Sequence, residues 1–336
     1  MTAIQPPRRW HRCRAAGLIG FGLCVAFSLC VVQPAQAAEY VLKFGHLANQ
    51  HNVWHRAALR FKERVEADSG GRIEVRVYPS DQLGGELDMI NSIQLGIADM
   101  TITGESLQNW APKAALMAAP YAFRDREQLR RAVEGEVGEE IGAQINQRTG
   151  LIPLTWLERG PRELTANRPI SHPDDLRGIR LRVPNVPLFV ATWQALGARP
   201  TPMAFSEVFT SLQQSTIEGQ ENPLDLIESG SLFEVQSHVS LTHHVRGWIY
   251  VVIGQRQLER MPEELQRVVR EAADEMQRYH AELFEQDQQR LDQTLRERGM
   301  VFVEVDQEAF AEQAREAVLG ALDEEQRALF EKIQAL

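Results

Sequence analysis

The sequence predicts an α/β fold of two domains, and two observations support that prediction. Segments with strand and helix patterns alternate along the chain, and one helical stretch is longer than a small domain is wide. After Pro262 no proline or glycine occurs until Gly299, and at 1.5 Å per residue such a helix would reach about 55 Å. Its apolar positions form no sustained heptad repeat, so we expect it to bridge two domains rather than to project as a coiled coil.

The N-terminal residues 1–37 have the pattern of a secretory signal peptide. Four arginines precede an apolar run from Ala15 to Val32, and Ala35-Gln36-Ala37 forms an A-x-A cleavage site. The run is nearly long enough to be a permanent membrane anchor, but its glycines and the small residues after it favour cleavage. We therefore expect a periplasmic protein that begins after Ala37.

All three cysteines lie inside this segment, at Cys13, Cys24 and Cys30. The mature chain then has no disulfide, no thiol nucleophile and no cysteine metal site. Cys24 and Cys30 both follow leucine rather than a small residue, so neither matches a lipid-anchored cysteine. Loss of the four arginines changes the net charge from −10 to −14. Such an acidic surface argues against nucleic acid or anionic lipid as a partner.

The first part of the mature chain alternates strands and helices. The predicted order is a strand at Val41–Phe44, a helix over Trp54–Val65, a strand at Ile73–Val77, a helix at Glu86–Leu95 and a strand at Asp99–Thr103. This β-α-β-α-β order implies a parallel sheet that is covered by helices.

A second block of alternating elements begins near Arg159, after the strand Leu151–Leu157. A strand is predicted at Ile179–Val183, followed by helices at Pro187–Leu196 and Ser206–Gln214, the latter with Ser206 as its N-cap. Trp248–Ile253 is a continuous apolar run, which is typical of a strand that is buried on both faces.

Two arginines in this block are candidates for ligand binding. Arg162 follows a predicted strand, and Arg182 lies within one, between apolar neighbours. Burying an unpaired charge is costly, so such an arginine must be paired or must face a ligand. Its planar fork suits a carboxylate. The alternative is an internal ion pair from Arg182 to Asp174 or Glu221, and the residues alone weigh the two interpretations equally.

Asn222 lies in the run Gly219–Pro223, between two predicted helical segments. Pro223 forces Asn222 toward an extended conformation. An amide that donates and accepts is useful beside a carboxylate, although by itself this run is ordinary turn chemistry.

The histidines offer a competing site. His51 and His55 are four residues apart and could share a helix face for zinc, but a metal site needs a third protein ligand. The sequence contains no His-Glu-x-x-His pattern, nucleophile elbow, phosphate loop or dinucleotide fingerprint. We therefore expect no metal, no cofactor and no enzymatic activity, with a zinc hydrolase as the weakest alternative.

Several longer motifs together resemble the extracytoplasmic solute receptors of TRAP (tripartite ATP-independent periplasmic) transporters, the DctP-like family. The matching stretches cover essentially the whole mature chain in the family's order, and they include Tyr78–Gly85, Leu95–Met100, Asp175–Gly178, Leu181–Asn185, Pro200–Val208 and Glu218–Pro223. Each motif is weak alone, but the central block is specific.

The resemblance implies a two-domain periplasmic binding protein fold with a long helix spanning both domains. Residues 38–159 and 248–285 would form domain I, and residues 160–247 and 286–336 would form domain II. The implied function is capture of a small organic acid by domain closure and delivery to TRAP membrane permease subunits. A ligand-sensing subunit for a signalling partner is the alternative, and both a monomer and a homodimer remain open.

The resemblance also implies a set of ligand-binding residues: Arg182, Arg162, Asn222, Glu105, His244 and Phe205. Arg182 would form the main salt bridge to the ligand carboxylate, with Asn222 and Arg162 assisting. Glu105 resembles a position that binds ligand hydroxyls in sialic-acid receptors. His244 and Phe205 are weaker assignments to the pocket wall.

The resemblance does not assign the ligand. Leu47 stands where sialic-acid receptors have asparagine, and the turn Arg159–Arg162 differs from the glycine-aromatic-arginine turn of dicarboxylate receptors. A hydroxylated monocarboxylate, such as a sugar acid, and a C4 dicarboxylate are both open.

Overall fold

The structure is a computed structural model that describes residues 37–336, which form one compact unit. The predicted signal peptide, residues 1–37, lies outside the described residues except for Ala37. Over residues 37–336, no helix is long and apolar enough to cross a bilayer.

The fold consists of two β-sheets with helices packed on them. The strands are β1 Tyr40–Gly45, β2 Ile73–Tyr78, β3 Met100–Thr103, β4 Leu151–Glu158, β5 Arg162–Ala166, β6 Arg180–Val183, β7 Arg199–Pro202, β8 Gly219–Pro223, β9 His238–Val245, β10 Trp248–Gly254 and β11 Val301–Val303. The helices are α1 Val53–Asp68, α2 Glu86–Gln94, α3 Arg126–Glu134, α4 Glu136–Thr149, α5 Pro187–Ala195, α6 Val208–Gln213, α7 Leu224–Ser229, α8 Gln255–Glu259, α9 Glu263–Glu297, α10 Gln307–Ala321 and α11 Glu324–Ala335.

The first sheet has the strand order β2-β1-β3-β10-β4. β1 pairs in parallel with β2 and β3, as the β-α-β-α-β pattern predicts. The sheet as a whole is mixed, because β10, which comes later in the chain, is antiparallel to both β3 and β4. β10 enters directly from β9 of the other sheet, so no helical crossover sets its direction.

The second sheet has the order β11-β9-β5-β8-β6-β7. β6 is parallel to β7 and β8, whereas β5 is antiparallel to β8 and β9. Two short connections join the sheets, Arg159–Pro161 between β4 and β5 and Arg246–Gly247 between β9 and β10. Gly247 is required there, because a Cβ at this position would lie 2.5 Å from the Met117 carbonyl oxygen.

The long helix α9 contributes to the cores beneath both sheets, which confirms its predicted role. Near its start it packs along α1 and β4, where Met276 is buried with Phe61 and Val251. Near its end Leu295 is buried with Val239 of the second sheet. Pro262 is the N-cap residue of α9.

One local prediction is wrong and another is incomplete. Ser206 is not an N-cap, because it lies inside a 3₁₀ turn, Phe205–Glu207, and α6 begins only at Val208. The Gly219–Pro223 run lies between helices α6 and α7 and is extended at Asn222, as expected, but it forms strand β8 rather than a turn. Its backbone is extended because it pairs with β5 on one side and β6 on the other, which are contacts that no local pattern encodes.

Residues 37–336 form one compact unit, which supplies no internal boundary. The predicted bounds of domains I and II therefore stay a prediction. Helix α11, which we assigned to domain II, packs against α4 and the 3₁₀ segment Pro112–Ala118. The Gln326 side-chain amide donates to the Pro112 carbonyl at 2.6 Å, and the Lys332 ammonium group lies 2.7 Å from a Glu136 carboxylate oxygen.

Candidate ligand-binding site

A cavity of about 180 Å³ lies where the carboxyl ends of strands from the two sheets face each other. The first sheet contributes the turn after β3, with Glu105, and the residue after β4, Arg159. The second sheet contributes Arg182 from the end of β6 and Asn222 from the end of β8. Ligands of open α/β sheets bind in this position, outside the carboxyl ends of the strands.

Arg182 is a buried cation with no carboxylate partner in the described part of the chain. It lies on strand β6, and the residue is 3% exposed. Nε and Nη2 both donate to the Met203 carbonyl oxygen, at 3.1 and 2.8 Å, and the Phe205 ring centroid lies 6.0 Å away. Within residues 37–336, no carboxylate oxygen lies within 4.0 Å of this guanidinium.

The alternative of an internal ion pair for Arg182 is therefore wrong. Asp174 pairs instead with Arg177 at 2.9 Å, and Glu221 pairs with Arg162. Burial lowers the pKa of Arg182 to about 10, which the Glu221 charge only partly opposes. The arginine remains a cation at neutral pH, and a bound carboxylate would compensate its desolvation.

Arg162 has the partner that Arg182 lacks. Its Nε and Nη2 contact the two Glu221 carboxylate oxygens at 2.5 and 2.8 Å, and Nη2 also donates to the Glu221 carbonyl at 2.7 Å. Burial acts to raise the pKa of Glu221, but the Arg162 charge and a hydrogen bond from His244 outweigh it and hold that pKa well below its usual range. Glu221 is therefore ionised, and it neutralises Arg162.

His244 supports this pair from behind the cavity rather than lining it. Its Nε2 lies 2.8 Å from Glu221 Oε2, and its Nδ1 lies 2.8 Å from Thr242 Oγ1. Because Glu221 is an acceptor, Nε2 donates to it. The ring also packs edge-on against Trp193, with centroids 4.9 Å apart.

Glu105 and Arg159, which both line the cavity, form a second buried ion pair. Arg159 Nη1 donates to Glu105 Oε2 at 2.6 Å, and Arg162 Nη1 lies 3.6 Å from Glu105 Oε1. Burial acts to raise the pKa of Glu105, but the two arginine charges outweigh it and keep that pKa below its ordinary value. Glu105 is thus held as a charged acceptor at the cavity wall.

Asn222 reaches the cavity at the end of a buried chain of hydrogen bonds. Its Nδ2 donates to Gln220 Oε1 at 2.6 Å, and Gln220 Nε2 donates to Thr165 Oγ1 at 2.9 Å. The threonine hydroxyl in turn donates to Gln236 Oε1 at 3.1 Å. This network fixes the orientation of the amide before any ligand arrives.

The wall from the first sheet also carries acids that the sequence patterns did not reveal, namely Asp81, Glu86 and Asp88. Glu86 Oε1 accepts from the Thr103 hydroxyl at 2.5 Å and the Gly104 amide at 3.1 Å, and Oε2 accepts from the Ser106 hydroxyl at 2.8 Å. In the sequence, Glu86 reads as an ordinary acid in the first turn of a helix. Only the turn after β3 gives it these partners. The apolar lining comes from Leu47, Trp54, Ile102, Phe205, Leu226 and Ile249.

The structure thus brings five of the six predicted residues to one cavity: Arg182, Arg162, Asn222, Glu105 and Phe205. His244 lies one layer behind. Their roles toward a ligand stay predictions. Arg159 was noticed in the sequence only as part of an unusual turn, and its burial depends on the β4–β5 connection that places it against Glu105.

The histidine pair proposed for zinc is not assembled. His51 is exposed, whereas His55 is buried and faces His46, with 3.2 Å between Nδ1 and Nε2. Over residues 37–336, no group of three or more histidine, cysteine or acidic side chains is arranged to hold a metal ion.

Comparisons with known proteins agree with this geometry. Residues 44–327 match the family model described as bacterial extracellular solute-binding protein, family 7. A solute-binding protein of Roseobacter denitrificans is 50% identical over 299 residues, which cover 89% of this chain and 92% of that protein. The 2,3-diketo-L-gulonate-binding periplasmic protein of Escherichia coli is 31% identical, over 88% of this chain and 90% of that protein.

Solved structures show the same relationship. The crystal structure of a TRAP periplasmic solute-binding protein from Roseobacter denitrificans with bound L-galactonate superposes with a TM-score of 0.87 at 50% identity, over 89% of this chain and 100% of that one. A TRAP periplasmic solute-binding protein from a Polaromonas species, bound to D-erythronate, has a TM-score of 0.84 at 33% identity, over 88% and 99% of the two chains. This chain belongs to the same family, the solute-binding receptors of TRAP transporters, which bind small organic acids.

Proposed function

We propose that this receptor binds an open-chain sugar acid of about four to six carbons, a size that matches the cavity, and that Arg182 holds its carboxylate. The observation that carries the proposal is the burial of Arg182 without a carboxylate partner among the described residues. A folded protein tolerates such a cation best when a ligand supplies the missing charge. The L-galactonate and D-erythronate bound in the two similar structures support this ligand class.

The charges around the cavity favour a monocarboxylate over a dicarboxylate. Arg162 and Arg159 already pair with Glu221 and Glu105, so among the described residues that line the cavity only Arg182 is free to neutralise a ligand anion. The remaining ionisable groups of the lining are acids. They would repel a second carboxylate, whereas hydroxyl groups can donate hydrogen bonds to them.

The cavity volume supports a short acid. An engineered apolar cavity of about 150 Å³ holds a benzene molecule. A cavity of about 180 Å³ therefore suits a short sugar acid better than the larger sialic acids. Leu47 lines this cavity, at the position where the resemblance implies a polar asparagine in sialic-acid receptors.

The receptor acts in the periplasm, where it captures its ligand by domain closure and delivers it to TRAP permease subunits, without catalysing a reaction. Support for closure is the construction of the site from both sheets, which are joined by the short connections Arg159–Pro161 and Arg246–Gly247 and by helix α9. Ligand can shift an open form to a closed form only through contacts that the open form lacks, and a carboxylate on Arg182 beside hydroxyls on the acidic wall supplies them.

A thermal-shift experiment on the mature protein tests the ligand class, because a ligand that binds the native state raises the melting temperature. We expect L-galactonate and D-erythronate to raise it and succinate to leave it unchanged. Calorimetry on each acid then gives the Kd. A succinate affinity equal to or above that of every sugar acid would contradict the proposal.

A further inference from the structure

Arg159 occupies an unusual position between the two sheets. It is the first residue after β4, its backbone amide donates to the Gly247 carbonyl of the other connection at 3.3 Å, and its side chain is 6% exposed. The guanidinium extends over Gly104, where a Cβ would lie 3.6 Å from Nη1. The side chain thus lies at the cavity, in the short segment that joins the sheets.

The hydrogen-bond capacity of Arg159 is mostly unused in the described part of the chain. One of its nitrogens, Nη1, donates to Glu105 Oε2. Nε is buried without any acceptor, and Nη2 donates to no residue of 37–336. A guanidinium carries five N–H groups and no acceptor, so this side chain requires acceptors that residues 37–336 do not provide.

Glu105 supplies the complementary half. It is ionised, it accepts from Arg159, and Arg162 lies 3.6 Å from its other oxygen. The pair therefore presents a hydrogen-bond donor and an acceptor side by side at the cavity. A hydroxyl satisfies both, because it accepts one hydrogen bond and donates another. A methylene satisfies neither, and a carboxylate would meet the negative charge of Glu105.

We propose that Arg159 and Glu105 together read one hydroxyl group of the bound acid, and that Arg159 is a specificity-determining residue of this receptor. This inference rests on the proposed function, since it requires that the ligand is a hydroxylated acid held by Arg182. It adds to the implied role of Glu105 a donor that the resemblance does not assign.

The test combines protein variants with ligand analogues that each lack one hydroxyl. Calorimetry measures the Kd of L-galactonate and of its monodeoxy analogues for the wild-type protein and for Arg159→Gln, which keeps an amide donor but removes the charged fork. We expect the variant to lose roughly ten- to hundredfold in affinity for L-galactonate. For one monodeoxy analogue, the variant and the wild-type protein should bind almost equally, because the group that Arg159 reads is already gone.

A merely structural role for Arg159 gives a different pattern. If the variant weakened L-galactonate and every monodeoxy analogue by the same factor, the effects would be additive and the inference would be overturned. Arg159→Lys, which keeps the charge but not the fork, should show the same loss of discrimination as Arg159→Gln. Its full retention of wild-type discrimination would also overturn the inference.

These measurements distinguish a failure of the proposed function from a failure of the role inferred for Arg159. If the wild-type protein bound no sugar acid, the proposed function would fail before Arg159 was tested. If the wild-type protein bound L-galactonate and Arg159→Gln kept its discrimination between the analogues, only the hydroxyl-reading role would be lost. Circular dichroism and the melting temperature without ligand show whether each variant is folded.

Discussion

Arg162 and Arg182 lie in the same sheet and are both almost fully buried, but only one of the two pairs with a carboxylate of residues 37–336. Arg162 has a carboxylate of its own chain, Glu221, in bidentate contact. Within residues 37–336, the Arg182 guanidinium donates only to a carbonyl oxygen, that of Met203. Burial alone therefore does not identify a ligand-binding arginine. The absence of an internal counter-charge does, and it separates a residue that supports the site from one that awaits a ligand.

The largest expected effect is on folding. Replacing Arg162 by Ala leaves Glu221 buried without its cation, and breaking such a pair costs about 3–5 kcal/mol. Arg182→Ala removes a charge that no buried carboxylate depends on, so the free energy of unfolding without ligand should change far less. Urea unfolding of the two variants and the wild-type protein measures the difference. Equal destabilisation by both changes would contradict the claim that Arg162, and not Arg182, compensates a buried carboxylate.

The free energy of unfolding at acid pH should also differ between the Arg162 and Arg182 variants. The pKa of Glu221 is held below its unfolded-state value, so its contribution to stability is present above about pH 4.5 and is lost as the pH falls through the folded-state value. The wild-type protein and Arg182→Ala should both show this loss. Arg162→Ala should not, because without that cation burial raises the pKa of Glu221.

Urea unfolding at several pH values between 6 and 3 measures this dependence. The expected result is that the stability gap between wild-type protein and Arg162→Ala narrows as the pH falls. A gap that stays constant would show that Arg162 does not set the ionisation of Glu221.

A smaller effect is expected at His244, which supports Glu221 without touching the cavity. His244→Gln keeps a donor but misplaces it, so we expect a loss of about 1 kcal/mol in unfolding free energy and only a few-fold change in Kd for the ligand. Calorimetry and urea unfolding on the same variant check both values. A loss of ligand affinity without a loss of stability would instead place His244 in contact with the ligand.

The sequence predicted the elements whose signals are local. The long helix α9, the strand β10 and the parallel trio β1, β2 and β3 follow from periodicity, from a continuous apolar run and from alternation. Strand β8 and the mixed character of the first sheet did not follow, because pairing between distant segments determines both. Local propensity carries no information about such partners.

For the site, the sequence identified the residues of the second sheet better than those of the first. Arg182 and Asn222 lie in motifs that resemble a known family, so the resemblance indicated their importance. Glu86 is an ordinary acid in a first helical turn, and Arg159 belongs to a turn whose departure from the dicarboxylate receptors' pattern indicated no role for that residue. Their significance depends on the turn after β3, which brings Thr103, Ser106 and Glu105 against them.

Two arginines of strand β6 provide the most direct test of whether Arg182 binds the ligand carboxylate. Arg180 and Arg182 are two residues apart on β6, but Arg180 is exposed and pairs with Glu218, whereas Arg182 faces the cavity. Calorimetry with L-galactonate should show a Kd for Arg180→Ala equal to that of the wild-type protein and a loss of at least roughly a hundredfold for Arg182→Ala. An unchanged Kd for a folded Arg182→Ala protein would contradict the account.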